Sequence, residues 1–548
     1  MINNVIFFTP ITELVISIYV LGWGLLVSSF FYDKEDIKNN LSEISIFGFC
    51  LVLPLAQFIN FFFAITINIF SITFLLSLLI IFLFKNLIKN NFVKWLFKLF
   101  VIFIILIPLK YVIKGNEDLY YHLPKVELIN QFKIILGIAH FDYSLSFTNG
   151  WAHISAIFNF FNGSEKNLYI TSFVFFVLTL ISFYNYLIKE KSNKIKMVMI
   201  IILSFLLVKF YRIQEFGNDY QALILLLFSQ ILIFKYYLNN EYSKFLINKI
   251  LFYTFFAVMF RIYALFIIPT LIILFRNKME IINLINKKLL LLIFATFSLT
   301  LITSYLNSGC LFMPIKQTCL NKNLTSWSYI NKIENLNLRL KSFNTSYFSY
   351  KKEVLNPLTE KEWVKNYNWL KYHIMSERFI LPLIKSGFII IILFFLIITI
   401  LNKKKVSIRS LNKTDIFFIS LVLFSLLLWL FNTPLLRAGG YSYWPFLLIL
   451  ILFLKFDFKL IVPLKKINYF LIFILSISII LNLNRIFKES KKYESMSPFY
   501  FTKWGKLHHT KYQDKELLKN LLLKKDLDSN KLKLNIHKSK NNWFIIKE

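Results

Sequence analysis

The stretch GNEDLYYHLPKVELINQFKIILGIAHFDYSLSFTNGWAHISAIFNFF, residues 115–161, gathers Glu117, Asp118, His122, Lys125, His140, Asp142 and His153. Three of the chain's seven histidines lie in it. An adjacent pair of carboxylates suits two jobs. One can take the proton of an attacking hydroxyl. The pair can also hold a divalent cation, Mg2+ or Mn2+, against phosphate oxygens, with Asp118 as the ligand. The competing reading is a solvated loop whose acids pair with Lys114 and Lys125. Asp118 and His122 are four apart, so on a helix they share a face. Pro124 predicts that this helix begins near His122 or bends there.

Phosphate chemistry also needs fixed positive charge. Arginine supplies it with a planar, bidentate fork. Arg212 stands in YRIQEFGNDY with Glu215 and Asp219, Arg261 in FRIYALFIIP, and Arg437 in NTPLLRAGGYSYWP. Lys125 joins them as a phosphate-binding candidate. Anchoring to lipid headgroups is the plainer role for each arginine. Gly439 and Gly440 would let a ligand approach the backbone closely.

Cys310 and Cys319 are nine apart in a segment placed outside the membrane, where an oxidising compartment would join them as a disulfide. No second Cys or His pair stands near enough for zinc. Cys50 reads as a buried small hydrophobe, and His508-His509 as a surface feature. The chain has no P-loop, GxGxxG or serine elbow, so any donor substrate comes from the membrane or the outer compartment.

The elements that must position these residues are apolar. Of 548 residues 57% are hydrophobic, 18% aromatic and 17% charged. Soluble domains carry about 25% charge, and a soluble, disordered or fibrous protein is excluded. A helix crosses the roughly 30 Å of hydrocarbon with about 20 apolar residues. Such runs occupy 11–31, 44–64, 67–84, 97–113, 167–187, 197–210, 220–235, 250–275, 289–306, 384–401, 415–432, 441–454 and 467–483. They are too long and unbroken for porin strands. The fold class is an all-α integral membrane protein, a polytopic bundle of about 12–13 spans over residues 1–483. The run at 11–31 has no basic segment before it and reads as a span, not a cleavable signal.

Lysines and arginines outnumber acids 63 to 29, a net charge of +34. They cluster in short loops such as 85–98, 189–196, 276–288 and 403–413, which sets membrane orientation and does not call for nucleic acid. These loops are expected in the cytoplasm. The count closes only if 250–275 enters and leaves on one side, as two short helices meeting near Arg261. The alternative is one tilted helix with Arg261 snorkelling. Three segments then face outward: 114–166, 307–383 and the polar tail 484–548. Residues 151–161 are too short to span and lie in the interface or dip back toward the bundle.

The segments EDLYYHLPKVELI, GIAHFDYSLSFTNGWAHISAIF, SGCLFMPIKQTC and RAGGYSYWPF resemble a family of uncharacterised multi-spanning bacterial membrane proteins. The layout is more distantly similar to the GT-C class of glycosyltransferases. There a loop acid at the outer face works on polyprenyl-phosphate-linked sugars. Two features depart from that layout: four spans precede the acidic loop, and the motif reads Glu-Asp-Leu.

The resemblance implies a bacterial inner-membrane enzyme with Asp118, aided by Glu117, as the catalytic carboxylate of that loop, and His122 at the Tyr-His position. His140, Asp142, Trp151 and His153 would contact substrate. The partners would be membrane lipids, a lipid-linked sugar donor and a glycan, lipid or protein acceptor. A transporter, flippase or polymerase of lipid-linked glycans is the alternative, although no internal repeat marks a transporter.

Overall fold

The computed structural model describes residues 2–106, 122–147, 149–159, 168–208, 219–239, 243–277, 283–321, 323, 325–376, 379–380, 384, 407–408, 410–432, 434, 449–450, 454–455, 464–492, 535–538 and 544–547. They form an all-α polytopic bundle, and seven of the helices are long and apolar enough to cross a membrane. The protein is a multi-pass membrane protein. Four long helices come first: α1 (Ile2–Ser28), α2 (Leu41–Phe62), α3 (Ile67–Leu83) and α4 (Lys85–Ile105). Two short ones follow, α5 (His122–Gln131) and α6 (Gly150–Ile157). Then come α7 (Leu168–Lys189), α8 (Asn193–Val208), α9 (Asp219–Asn239), α10 (Lys244–Phe260) and α11 (Lys287–Ser308). After the loop helix α12 (Ile333–Asn344) come α13 (Lys413–Asn432) and α14 (Leu464–Lys492). The expected spans 384–401 and 441–454 fall mostly outside the described residues.

Strand pairing among the described residues is limited to two short antiparallel pairs. They are β1 (Ser407–Ile408) with β2 (Leu454–Lys455) and β3 (Asn535–Lys538) with β4 (Phe544–Lys547).

Side-chain size dictates how α1 and α2 meet. A Cβ on Gly48 would sit 1.7 Å from the Val20 carbonyl oxygen, and one on Gly24 would sit 1.9 Å from that of Ile44. Only glycine permits this backbone-to-backbone crossing, the usual device where lipid supplies no hydrophobic drive between helices. The helix α9 is enclosed along nearly its whole length. By contrast α3, α11, α13 and α14 keep apolar side chains outward, with Leu83 69%, Leu291 72% and Phe294 70% exposed. Such a belt is solvated by lipid and would be a liability in water.

The sequence placed the fourth span at 97–113, yet α4 begins at Lys85. Ile88, Trp95, Leu99 and Phe103 are buried at helical spacing, so one apolar face carries the lysine-rich turns into the same helix.

Cross-helix bonds define the two ends of the bundle. At the basic end Lys189 Nζ donates to Asn40 Oδ1, Lys235 pairs with Glu190, Asn91 reaches the Lys38 carbonyl, and Tyr237 bonds Asp415. At the far end the Ile65 amide donates to the Ile129 carbonyl and the Gly137 amide to that of Leu306.

The 250–275 run is a broken pair. α10 rises from the basic end and stops at Phe260, and Arg261 is extended at φ −151° and ψ 119°. The chain then returns through 3-10 turns at Ile262–Ile267, a turn of α-helix at Ile268–Leu271 and 3-10 turns at Ile272–Asn277. Tyr263 Oη donates to the Asp219 carbonyl at the far end, and Tyr236 Oη to that of Leu274 near the basic end, so the arm runs beside α9. A 3-10 helix rises about 2.0 Å per residue, which lets this short arm reach about 30 Å.

α14 starts at the basic end, where Tyr184 Oη donates to Asn468 Oδ1. At the far end β4 lies beside Ile138–Phe141.

Candidate functional site

The far end is built around two short helices. α5 is described over His122–Gln131 with Pro124 near its start, and a proline in a first turn removes an amide that has no helical partner. Asparagines bind it to its neighbours. Asn130 Nδ2 donates to the Ile65 and Ala156 carbonyls at 2.8 and 2.9 Å, and Asn159 Nδ2 to Asn130 Oδ1 at 2.8 Å. Asn60, near the end of α2, donates to the Phe132 carbonyl at 3.1 Å.

α6 dips into the bundle between α2, α5 and α10, and all eight of its residues are buried. Its entrance is tight: a Cβ on Gly150 would lie 3.0 Å from both Leu53 Cδ2 and the Met259 carbonyl oxygen. Asn149 caps it, Oδ1 accepting from the Ala152 amide at 3.2 Å. The same side chain donates through Nδ2 to His122 Nδ1 at 3.2 Å, which leaves the imidazole proton on Nε2. Cap and histidine are thereby fixed together.

Between α2, α5, α6 and α11 opens a cleft of about 390 Å³, counting the space at its mouth that is open to solvent. Asn60, Lys125, Lys133, His153, Thr303 and Asn307 supply its polar lining, and Leu128, Ile129 and Ile138 part of its apolar wall. Lys125 is 6% exposed, and its Nζ donates to the Phe147 carbonyl. Burial pulls this ammonium down to about 7, so it carries part charge at neutral pH. His153 is 4% exposed, and its Nδ1 has no hydrogen-bond partner among the described residues. Burial first, then the charge of Lys125, brings its imidazole down to about 3. It is neutral at physiological pH. The cleft therefore offers two lysines, of which buried Lys125 is the switchable one, a neutral imidazole and amide and hydroxyl groups, a set suited to an anion with hydroxyl neighbours.

Residues 7–443 match the family model for a domain of unknown function, DUF8201. The chain belongs to the DUF8201 family. The DUF8201 region contains every residue lining the cleft and stops short of the tail. No curated protein and no solved structure matches the chain.

The DUF8201 region also holds the other candidate site residues named from the sequence. Glu117, Asp118, Arg212 and Arg437 lie outside the described residues. Arg261 is described: its Nε is 2.6 Å from Asp219 Oδ1, and its guanidinium carbon is 5.9 Å from the centre of the Tyr263 ring. Phe260, just before it, meets the Trp151 ring of α6 at 5.4 Å, which places Arg261 beside the α6 entrance.

Trp151 is 1% exposed, set against Phe49 and Phe175 with Nε1 donating to Ser172 Oγ. His140 Nε2 donates to the Trp327 carbonyl at 3.2 Å and ties this loop to the segment after α11. Asp142 accepts from the Ser144 amide and hydroxyl and caps the turn Tyr143–Ser146. Cys310 and Cys319 are joined as a disulfide, and Cys50 is buried.

Among the described residues no group of three His, Cys, Asp or Glu is placed to hold a metal. The described donors of the cleft, with an ammonium among them, do not fit a divalent cation. Sequence reasoning missed Asn60, Asn149, Thr303 and Asn307. The available signal was an asparagine inside an apolar run, as in QFINFFF.

Proposed function

We propose that the protein is a GT-C-like inverting glycosyltransferase of the bacterial inner membrane, with the basic end in the cytoplasm and the cleft at the outer face. The single observation that carries the reading is the buried Lys125 in a cleft with His153, Asn60 and Asn307 at the end opposite the basic loops. A sugar linked to polyprenyl phosphate brings an anion, hydroxyls and a lipid chain to that boundary. Asp118, four residues before His122 in the chain, takes the proton of the acceptor hydroxyl. The acceptor oxygen bonds to the anomeric carbon as the carbon–oxygen bond to the lipid phosphate breaks with inversion, and the phosphate leaves with the electron pair. Lys125 and Arg261 stabilise the charge gathering on that phosphate, with Arg212 and Arg437 as further donors.

The test uses the full chain in proteoliposomes with polyprenyl-phosphate sugars as donors. Asp118→Asn is expected to lower transfer at least about a hundredfold, the usual range for a lost general base, while donor binding stays. Unchanged turnover in that variant overturns the catalytic assignment.

The helix break at Arg261 favours a second reading, because interrupted helices build the sites of transporters. Translocation of a lipid-linked glycan predicts that Asp118→Asn is tolerated. Arg261→Ala would then strand the lipid on the cytoplasmic side.

A further inference from the structure

The basic end carries a feature of a different kind on α4. Lys94 and Lys98 are exposed and four residues apart, so they share one face of that helix. Val93 and Phe97 beside them are each 68% exposed, and Ile104 and Ile105 carry the exposed apolar strip on toward the far end. Two bonds fix the level of these lysines. Asn91 Nδ2 donates to the Lys38 carbonyl and Trp95 Nε1 to Ser42 Oγ, each at 2.9 Å. α2 begins at Leu41, so Lys94 stands at the start of the spans. Lys98, three residues past Trp95, lies about 4.5 Å deeper at the usual helical rise. The headgroup layer adds about 5–7 Å to each side of the hydrocarbon, and both residues fall within it.

Neither lysine has a hydrogen bond or an ion pair among the described residues. Glu35 and Asp36, on the short helix Lys34–Ile37 that packs beside α4, make no ion pair with them. Other lysines of this end are matched: Lys189 by Asn40, Lys235 by Glu190 and Lys249 by Glu43. Two unmatched cations one turn apart, at headgroup depth and bordering a lipid-facing apolar strip, fit a ligand with an anionic head and aliphatic chains. We infer that they bind one anionic phospholipid of the leaflet at the basic end, its phosphate between Lys94 and Lys98 and a chain along Phe97 and Ile105. A zwitterionic lipid brings an ammonium of its own that offsets the attraction, and a soluble anion leaves Phe97 uncovered. This site lies at the end opposite the Lys125 cleft and does not depend on transfer there.

The experiment titrates the full chain in detergent micelles with phosphatidylglycerol or with phosphatidylcholine of the same two chains, and reads lipid adducts by native mass spectrometry. The first phosphatidylglycerol is expected to bind at least about tenfold tighter, the scale set by two lysines at a membrane surface. Lys94→Gln together with Lys98→Gln should bring the two lipids within about twofold of each other, with thermal unfolding unchanged because both side chains are exposed. Lys94→Arg with Lys98→Arg should keep the preference. Lys287→Gln with Lys288→Gln, which removes the same charge from the start of α11 at the same end, should also keep it. Equal binding of the two lipids by the unaltered protein overturns the inference. So does a preference that survives loss of both α4 lysines, or one that falls as far when the α11 pair is removed.

Discussion

Two lysines are equally buried at opposite ends of this bundle, and their surroundings differ in kind. Lys249, near the start of α10, is 6% exposed and completely provided for. Its Nζ is 3.1 Å from Glu43 Oε2, donates to Tyr186 Oη at 2.7 Å, and stands 3.7 Å above the Tyr32 ring. Glu43 Oε1 in turn accepts from Tyr186 and Tyr253 at 2.9 and 2.6 Å. Lys125 is also 6% exposed, but among the described residues it has one carbonyl and no carboxylate. A buried charge that is matched on every side holds helices together. One that is left short of partners inside a cleft is poised for a ligand.

The largest effect should come from the matched lysine. Lys249→Met leaves Glu43 buried without its counter-ion, and unfolding in detergent should show a loss of about 3–5 kcal/mol. Lys125→Met is the counterpart that would break the comparison. It should cost no stability, or raise it by about 1 kcal/mol, because it removes a poorly matched buried charge. Donor affinity should fall about tenfold, read by titration into the proteoliposomes, as expected for one lost charge-assisted hydrogen bond.

The pH profile sharpens the contrast. With Lys125 at about 7, only the protonated form attracts phosphate, so binding is strong below pH 7 and weakens above it. The donor dissociation constant should rise about tenfold from pH 6 to pH 8, and Lys125→Arg should flatten the profile. The smallest expected change is that of His153→Asn. Its imidazole sits at about 3 and stays neutral across this range, so the midpoint should move by less than about half a unit.

Much of this molecule was legible because membranes punish exceptions. Unbroken apolar runs located most spans, and an arginine inside one of them announced a break that the structure places at Arg261. The two cysteines were readable because they are the only pair outside the spans. The Glu43–Lys249 pair was not legible. Each residue lies at the edge of an apolar run and looks like a loop charge, and 206 positions separate them. The cleft was half legible. The histidines and Lys125 stood out in one loop, whereas Asn60 and Asn307 were hidden in a sequence rich in asparagine. What recruits them is the packing of α5 and of α11 against α2, a tertiary event that no local pattern records.

The return arm after Arg261 stores length. Its two 3-10 stretches are drawn out, and rewinding them as α-helix would shorten the arm by about 6 Å, roughly one helical turn. Because the arm is hooked to α9 through Tyr263 at the top and Leu274 at the bottom, such a contraction would have to unhook one end. The height of the guanidinium at its summit is thus set by the winding of the arm together with its two hooks on α9.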